Sequence, residues 1–261
     1  VRTAAARFPG KAVEVTAMVG EDASVATPSP RHDHALPPVL LALTLTTGLI
    51  DAASYLGLGH VFTANMTGNV VLLGFGLANA GGLPVVAPLI SLGAFLLGAA
   101  IGGRLGIGIP ERHKRILLIG VASEIALLAL AAIFAYAVHI KINSASAYAV
   151  IAIVALAMGV RNAIVRKLAI PDMTTTVLTM TLTGLAGDAA ATPAKIGASP
   201  RRLSIVAAML VGAIIGALLE KQNLGLPLAV AAGAGAVSFG AYVLAHGRWP
   251  DSSTHRRSSN C

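Results

Sequence analysis

The stretch from Gly48 to Leu73, GLIDAASYLGLGHVFTANMTGNVVLL, decides how the chain is read. An acid, Asp51, sits inside an apolar segment long enough for a helix. A break follows at Gly57-Leu58-Gly59-His60. A polar cluster, Thr63, Asn65, Thr67 and Asn69, then opens a second apolar segment. In water such an arrangement is ordinary. In a bilayer each of these groups is costly and marks a structural or functional need.

Composition places the chain in the membrane. Of its 261 residues 56% are hydrophobic and only 11% are charged, against about 25% charged in soluble domains. Gly and Ala are abundant and aromatics few, which suits closely packed membrane helices. The net charge of +8 does not point to nucleic acid, because no basic stripe is interleaved with aromatics. Lys and Arg lie mainly in the tails and between apolar segments, as in cytoplasmic loops of membrane proteins. The one cysteine, Cys261, excludes an internal disulfide or a thiolate metal cluster. No cofactor or metal site is expected. Catalytic motifs are absent too: there is no H-E-x-x-H, G-x-S-x-G or P-loop.

Residues 1–36 contain Pro9, Pro28 and Pro30 and no helix-length apolar run. They read as a mobile cytoplasmic tail without a signal peptide, within which Met18 is a candidate start. Residues 37–247 read as one membrane domain and 248–261 as a second cytoplasmic tail. Eight apolar segments occupy roughly 38–58, 61–80, 84–106, 116–140, 146–168, 173–190, 203–221 and 225–246. About 20 apolar residues span a bilayer, so length alone allows eight crossings. Charge prefers six. If the second and sixth segments enter and return on the same side, only Lys141 and Lys221 fall outside, apart from Arg161 within the fifth segment. With eight crossings the positive charges divide far more evenly. The positive-inside rule therefore favours an all-α polytopic protein with six spans, two short polar re-entrant or half-spanning helices and both termini cytoplasmic. Eight spans is the alternative.

The chain also resembles itself at a shift of about 111 residues. Gly48-Leu-Ile-Asp51-Ala52 aligns with Gly159-Val-Arg-Asn162-Ala163, and Thr63 with Thr174. Slightly further on, Gly98-Ala-Ala-Ile-Gly102 matches Gly212-Ala-Ile-Ile-Gly216. The half-repeats cover about 37–140 and 145–246. With three crossings each, the second half is inverted, and paired polar segments in inverted halves point to a transporter-like binding site.

The candidate central site comprises Asp51, Thr63, Asn65, Thr67, Asn69, Arg161, Asn162, Thr174, Thr175, Thr176 and Thr179. Asp51 is a proton, cation or substrate site, or else the structural counter-charge of Arg161. The Thr and Asn groups line a path for a small polar solute or ion, or act as interhelical glue. Glu124 is expected to serve helix packing. Gly98, Gly102, Gly212 and Gly216 pack helices, here or in a homo-oligomer. Lipid is the expected surrounding.

The residues GLIDAASYLGLGHVFTANMTGNVVLLG, and later MGVRNAIVRKLA followed by TTTVLTMTLTGLAGD, resemble the YoaK-like family of bacterial membrane proteins, which is defined by a domain of unknown function. The likeness runs from about Val39 to Ala245. It implies a bacterial inner-membrane protein and supplies no substrate. Family members more often carry Gln where this chain has Arg161. On the physical reading the leading function is a small transporter or channel-like protein, not an enzyme. The alternative is a structural or partner-binding membrane protein.

Overall fold

The computed structural model describes residues 36–105, 113–167 and 199–246, together with 179, 182 and 183. Seven helices and no strand occur among the described residues. They are α1 (Leu36–Gly57), α2 (Met66–Leu77), α3 (Val86–Arg104), α4 (His113–Ala137), α5 (Ala145–Lys167), α6 (Ser199–Glu220) and α7 (Gly225–His246). Four contain stretches long and apolar enough to cross a membrane: Val86–Arg104, Leu118–Ala137, Ala145–Arg166 and Leu203–Glu220. Shorter apolar stretches lie at Leu41–Gly57, Met66–Leu77 and Gly225–Ala241. The apolar segment expected from 61 is a helix of only 12 residues, about 18 Å long and too short to span.

The helix ends follow from local chemistry. Gly59 takes φ 91° and His60 φ 61°, and the His60 N–H donates to the Tyr55 carbonyl at 2.9 Å. This left-handed stop satisfies a terminal carbonyl of α1 and turns the chain back. Asn65 then caps α2, its side-chain oxygen accepting from the Gly68 N–H at 3.4 Å. At the far end of α2, Asn79 takes φ 53° and the Ala80 N–H donates to the Phe75 carbonyl at 2.9 Å, a second stop of the same kind. Ser144 opens α5 by accepting from the Ala147 N–H at 3.3 Å.

Two close crossings build the bundle. A Cβ on Gly48 would strike the Met209 carbonyl of α6, and Cβ atoms on Gly212 and Gly216 would strike the Leu45 and Leu49 carbonyls of α1. The pairing advances in step on both helices, so α1 and α6 run parallel. In the other crossing a Cβ on Gly98 would strike the Leu156 carbonyl, one on Gly102 would lie 2.7 Å from the Val160 carbonyl, and one on Gly159 would strike the Phe95 carbonyl. Helices α3 and α5 therefore also run parallel. Gly98, Gly102, Gly212 and Gly216 thus sit at the two close crossings within the chain. Helix α4 lies against α5 and α7, α7 also packs on α1, and α2 packs on α3. The core, including Leu49, Ile50, Leu128, Ile151, Met158 and Leu228, sits where α1, α4, α5 and α7 meet.

Candidate functional site

Asp51 lies six residues before the end of α1 and is only 5% exposed. The chain leaving α1 doubles back along it. The backbone N–H groups of Thr63 and Ala64 donate to Asp51 Oδ1 at 3.1 and 2.8 Å. The Thr63 hydroxyl donates to Ser54 Oγ at 3.3 Å, and the Ser54 hydroxyl donates to the Asp51 carbonyl at 3.2 Å. One carboxylate oxygen thus serves two amides of irregular backbone, which at membrane depth must find partners inside the protein. The other oxygen, Oδ2, is buried and has no hydrogen-bond partner among the described residues.

Asn69 holds the same loop from the other side. Its Oδ1 accepts from the Phe62 N–H at 2.9 Å, and its Nδ2 donates to the Phe62 carbonyl at 2.6 Å and to Ser91 Oγ of α3 at 3.1 Å. The Ser91 hydroxyl also donates to the Phe62 carbonyl, at 2.7 Å. The loop is pinned between α1 and α3 through its backbone, and Asn69 is spent on that task.

A cavity of about 450 Å³ lies beside Asp51. Its walls are Gly48, Ala52, Tyr55 and Leu56 of α1, Met209, Ala213, Ile214 and Ala217 of α6, and Phe62 and Asn65 of the loop. Tyr55 and Phe62 stack at 5.0 Å between ring centroids. Leu56 and Ile214 are exposed, so the mouth opens on an apolar surface. Asp51 supplies the one carboxyl group of the lining.

Arg161 belongs elsewhere. Its Nη1 donates to Glu124 Oε1 of α4 at 2.9 Å and to Thr46 Oγ1 of α1 at 3.3 Å, and its Nη2 donates to Thr47 Oγ1. The carboxylate in direct contact with Arg161 is Glu124 rather than Asp51, and the pair ties α4, α5 and α1 together; Arg161 acts on Asp51 only through its charge. Glu124 Oε2 has no hydrogen-bond partner among the described residues, so the pair is buried and one-sided. Arg161→Met is expected to strand a buried carboxylate and lower stability by about 3–5 kcal/mol. Adding Glu124→Gln should recover most of the loss, as read by thermal unfolding in detergent.

Of the other expected site residues, Asn65 lines the cavity, whereas Thr63 is fully buried behind it, its N–H donating to Asp51. Thr67 is exposed and its hydroxyl donates to Asn65 Oδ1 at 2.8 Å. Asn162 turns back on its own helix, its Nδ2 donating to the Met158 carbonyl at 2.8 Å. Thr179 is exposed and its carbonyl accepts from the Thr183 hydroxyl at 2.9 Å. Thr174, Thr175 and Thr176 lie outside the described residues. Sequence reasoning missed Thr46, Thr47 and Ser91, which look like ordinary helical hydroxyls. It also missed the pairing of Glu124 with Arg161, for which a signal existed. Glu124 lies 13 residues before the end of α4 and Arg161 lies 16 after the start of α5. At 1.5 Å per residue both fall about 20–24 Å from the connecting loop.

Comparison with known proteins bears on the whole fold. Over 150 residues the chain is 33% identical to the UPF0700 transmembrane protein YoaK of Bacillus subtilis (strain 168). That match covers 58% of this chain and 65% of the relative. No solved structure matches. The family model described as a protein of unknown function, DUF1275, matches residues 39–241. That match takes in every described helix but the ends of the first and last, and the chain is a membrane protein belonging to the DUF1275 family.

Proposed function

We propose that the protein is a small transporter or channel-like protein of two inverted halves, with its binding site at Asp51. The observation that carries this reading is the carboxylate itself. A buried Asp with one oxygen free of partners, beside a cavity of about 450 Å³, falls in the size range of ligand sites. Intramembrane acids are costly enough to be kept for a purpose.

Helix directions support the inverted arrangement. The end of α1 at Gly57 meets Glu220 and Leu224, and a second cavity there is bordered by His139 and Ile140. The ends of α1, α4 and α6 thus share one side with the starts of α5 and α7. Because α3 runs parallel to α5, it starts on that side too. The chain from 58 to 85 then returns to the side it left, and α2 does not cross. Likewise α6, parallel to α1, starts on the side where α5 ends. These directions support six crossings, with the second half upside down relative to the first.

The crossings also support the repeat. Gly48 of α1, set against α6, corresponds to Gly159 of α5, set against α3, at the 111-residue shift. Their targets, Met209 and Phe95, are related by the shift that relates Gly212 to Gly98. The charge distribution supports an inner-membrane location with both termini cytoplasmic.

The glue-like bonding of Arg161 and Asn69 favours the second reading, a non-transporting structural protein. Wetness of the cavity separates the two. In a Cys261→Ser background, Ala217→Cys is expected to react with a small water-soluble thiol reagent. A transporter gives labelling from both faces of the membrane; a cysteine that stays silent from both would remove the transport reading.

A further inference from the structure

We propose that the Asp51 cavity recognises an amphiphilic organic cation, an ammonium group carried on an apolar body. This rests on the reading of that cavity as a binding site and names the ligand chemistry it selects.

Asp51 Oδ1 is committed to the Thr63 and Ala64 amides, so Oδ2 is the one anionic acceptor left. A dehydrated inorganic cation needs several oxygen ligands, six to eight for Ca²⁺ and six for Mg²⁺. No group of three or more metal-ligating side chains occurs among the described residues, and most of this wall is hydrocarbon. An anion would face an unpaired carboxylate. A neutral polar solute would bring no charge of its own to answer that carboxylate in an apolar site.

An ammonium group answers the charge by Coulomb attraction to Asp51, with no hydrogen bond required. Its apolar substituents answer Leu56, Met209, Ile214 and Ala217. The mouth supports the apolar body independently. Leu56 and Ile214 at the rim are exposed, which in a bilayer places the entrance against acyl chains, where an amphiphilic cation concentrates.

The test uses the full chain carrying Cys261→Ser and Ala217→Cys, reconstituted in phosphatidylglycerol vesicles that contain no lipid amine. The rate of thiol labelling is read with benzyltrimethylammonium, with benzyl alcohol as its neutral counterpart, and with Na⁺. The expected result is that benzyltrimethylammonium at about ten times its dissociation constant slows labelling about tenfold, that benzyl alcohol and Na⁺ at equal concentration do not, and that Asp51→Asn abolishes the protection. If phosphatidylethanolamine added to the vesicles protects equally, and again only with Asp51 intact, ammonium recognition stands and a lipid is its source. Equal protection by benzyl alcohol, or protection that survives Asp51→Asn, overturns the proposal while the cavity remains a binding site. Labelling that Na⁺ alone slows overturns it in favour of an inorganic ion. A cysteine that never reacts overturns both the proposal and the reading beneath it.

Discussion

Asp51→Asn is expected to give a folded protein that has lost its cationic recognition, whereas Asp51→Ala is expected to lose the folded state. The difference follows from the division of labour between the two carboxylate oxygens. Oδ1 accepts from the Thr63 and Ala64 amides and holds the loop against α1. An asparagine carbonyl takes over both bonds in the same place. Its amide replaces Oδ2, which has no hydrogen-bond partner among the described residues, so the charge disappears and the scaffold stays. Alanine leaves two buried amides unsatisfied, each costing about 1–3 kcal/mol, and removes the anchor of irregular backbone that water cannot reach. Monodispersity on size exclusion and thermal unfolding in detergent read the fold, and ligand protection of a cavity cysteine reads the charge. Equal survival of both variants would mean that the loop does not depend on Asp51.

The second large effect is expected at the helix crossings. Gly98→Val and Gly212→Val each place a branched side chain where even a Cβ would strike a backbone carbonyl, that of Leu156 or Leu45. A carbonyl within a helix cannot rotate away, so the helices must separate, and overpacking of this kind costs about 1–3 kcal/mol or more. Loss of the monodisperse protein after mild heating is expected for both. Gly93→Ala and Gly233→Ala serve as controls, because a Cβ there meets nothing within 4 Å among the described residues. They should be neutral or stabilising by up to about 1 kcal/mol through helix propensity. If the Val variants melted with the controls, the close crossings would be wrong.

Much of this fold was legible in the sequence because membrane helices announce themselves by length and because polar residues inside them are rare. The apolar runs located all seven described helices. Asp51 stood out as an acid in an apolar span, and the Gly-x-x-x-Gly pairs at 98/102 and 212/216 do lie at helix crossings. The partners of the polar residues were not legible. A sequence displays that Asp51 needs compensation but not that Thr63 and Ala64 supply it, since that contact depends on a chain reversal set by two positive-φ residues, Gly59 and His60. Asn69 was read as a site residue because side-chain amides look alike whether they face a ligand or a neighbouring backbone. Arg161 was offered Asp51 as partner because repeat-related positions invite pairing. Depth along the α4–α5 hairpin decides for Glu124, and that count could have been made from the helix limits alone.

The central claim is that the chain between α1 and α3 enters the membrane and returns, which inverts the second half. Single cysteines at His60, Ala80 and Lys114 in a Cys261→Ser background test it most directly, with an impermeant thiol reagent applied to intact cells. His60 already holds a side chain at φ 61° and Ala80 is exposed beyond the end of α2, so the substitutions there are mild. The account predicts labelling at His60 and Ala80 and protection at Lys114. Labelling at His60 and Lys114 with Ala80 protected would mean that α2 crosses and that the halves are parallel, and the account would be contradicted at its base.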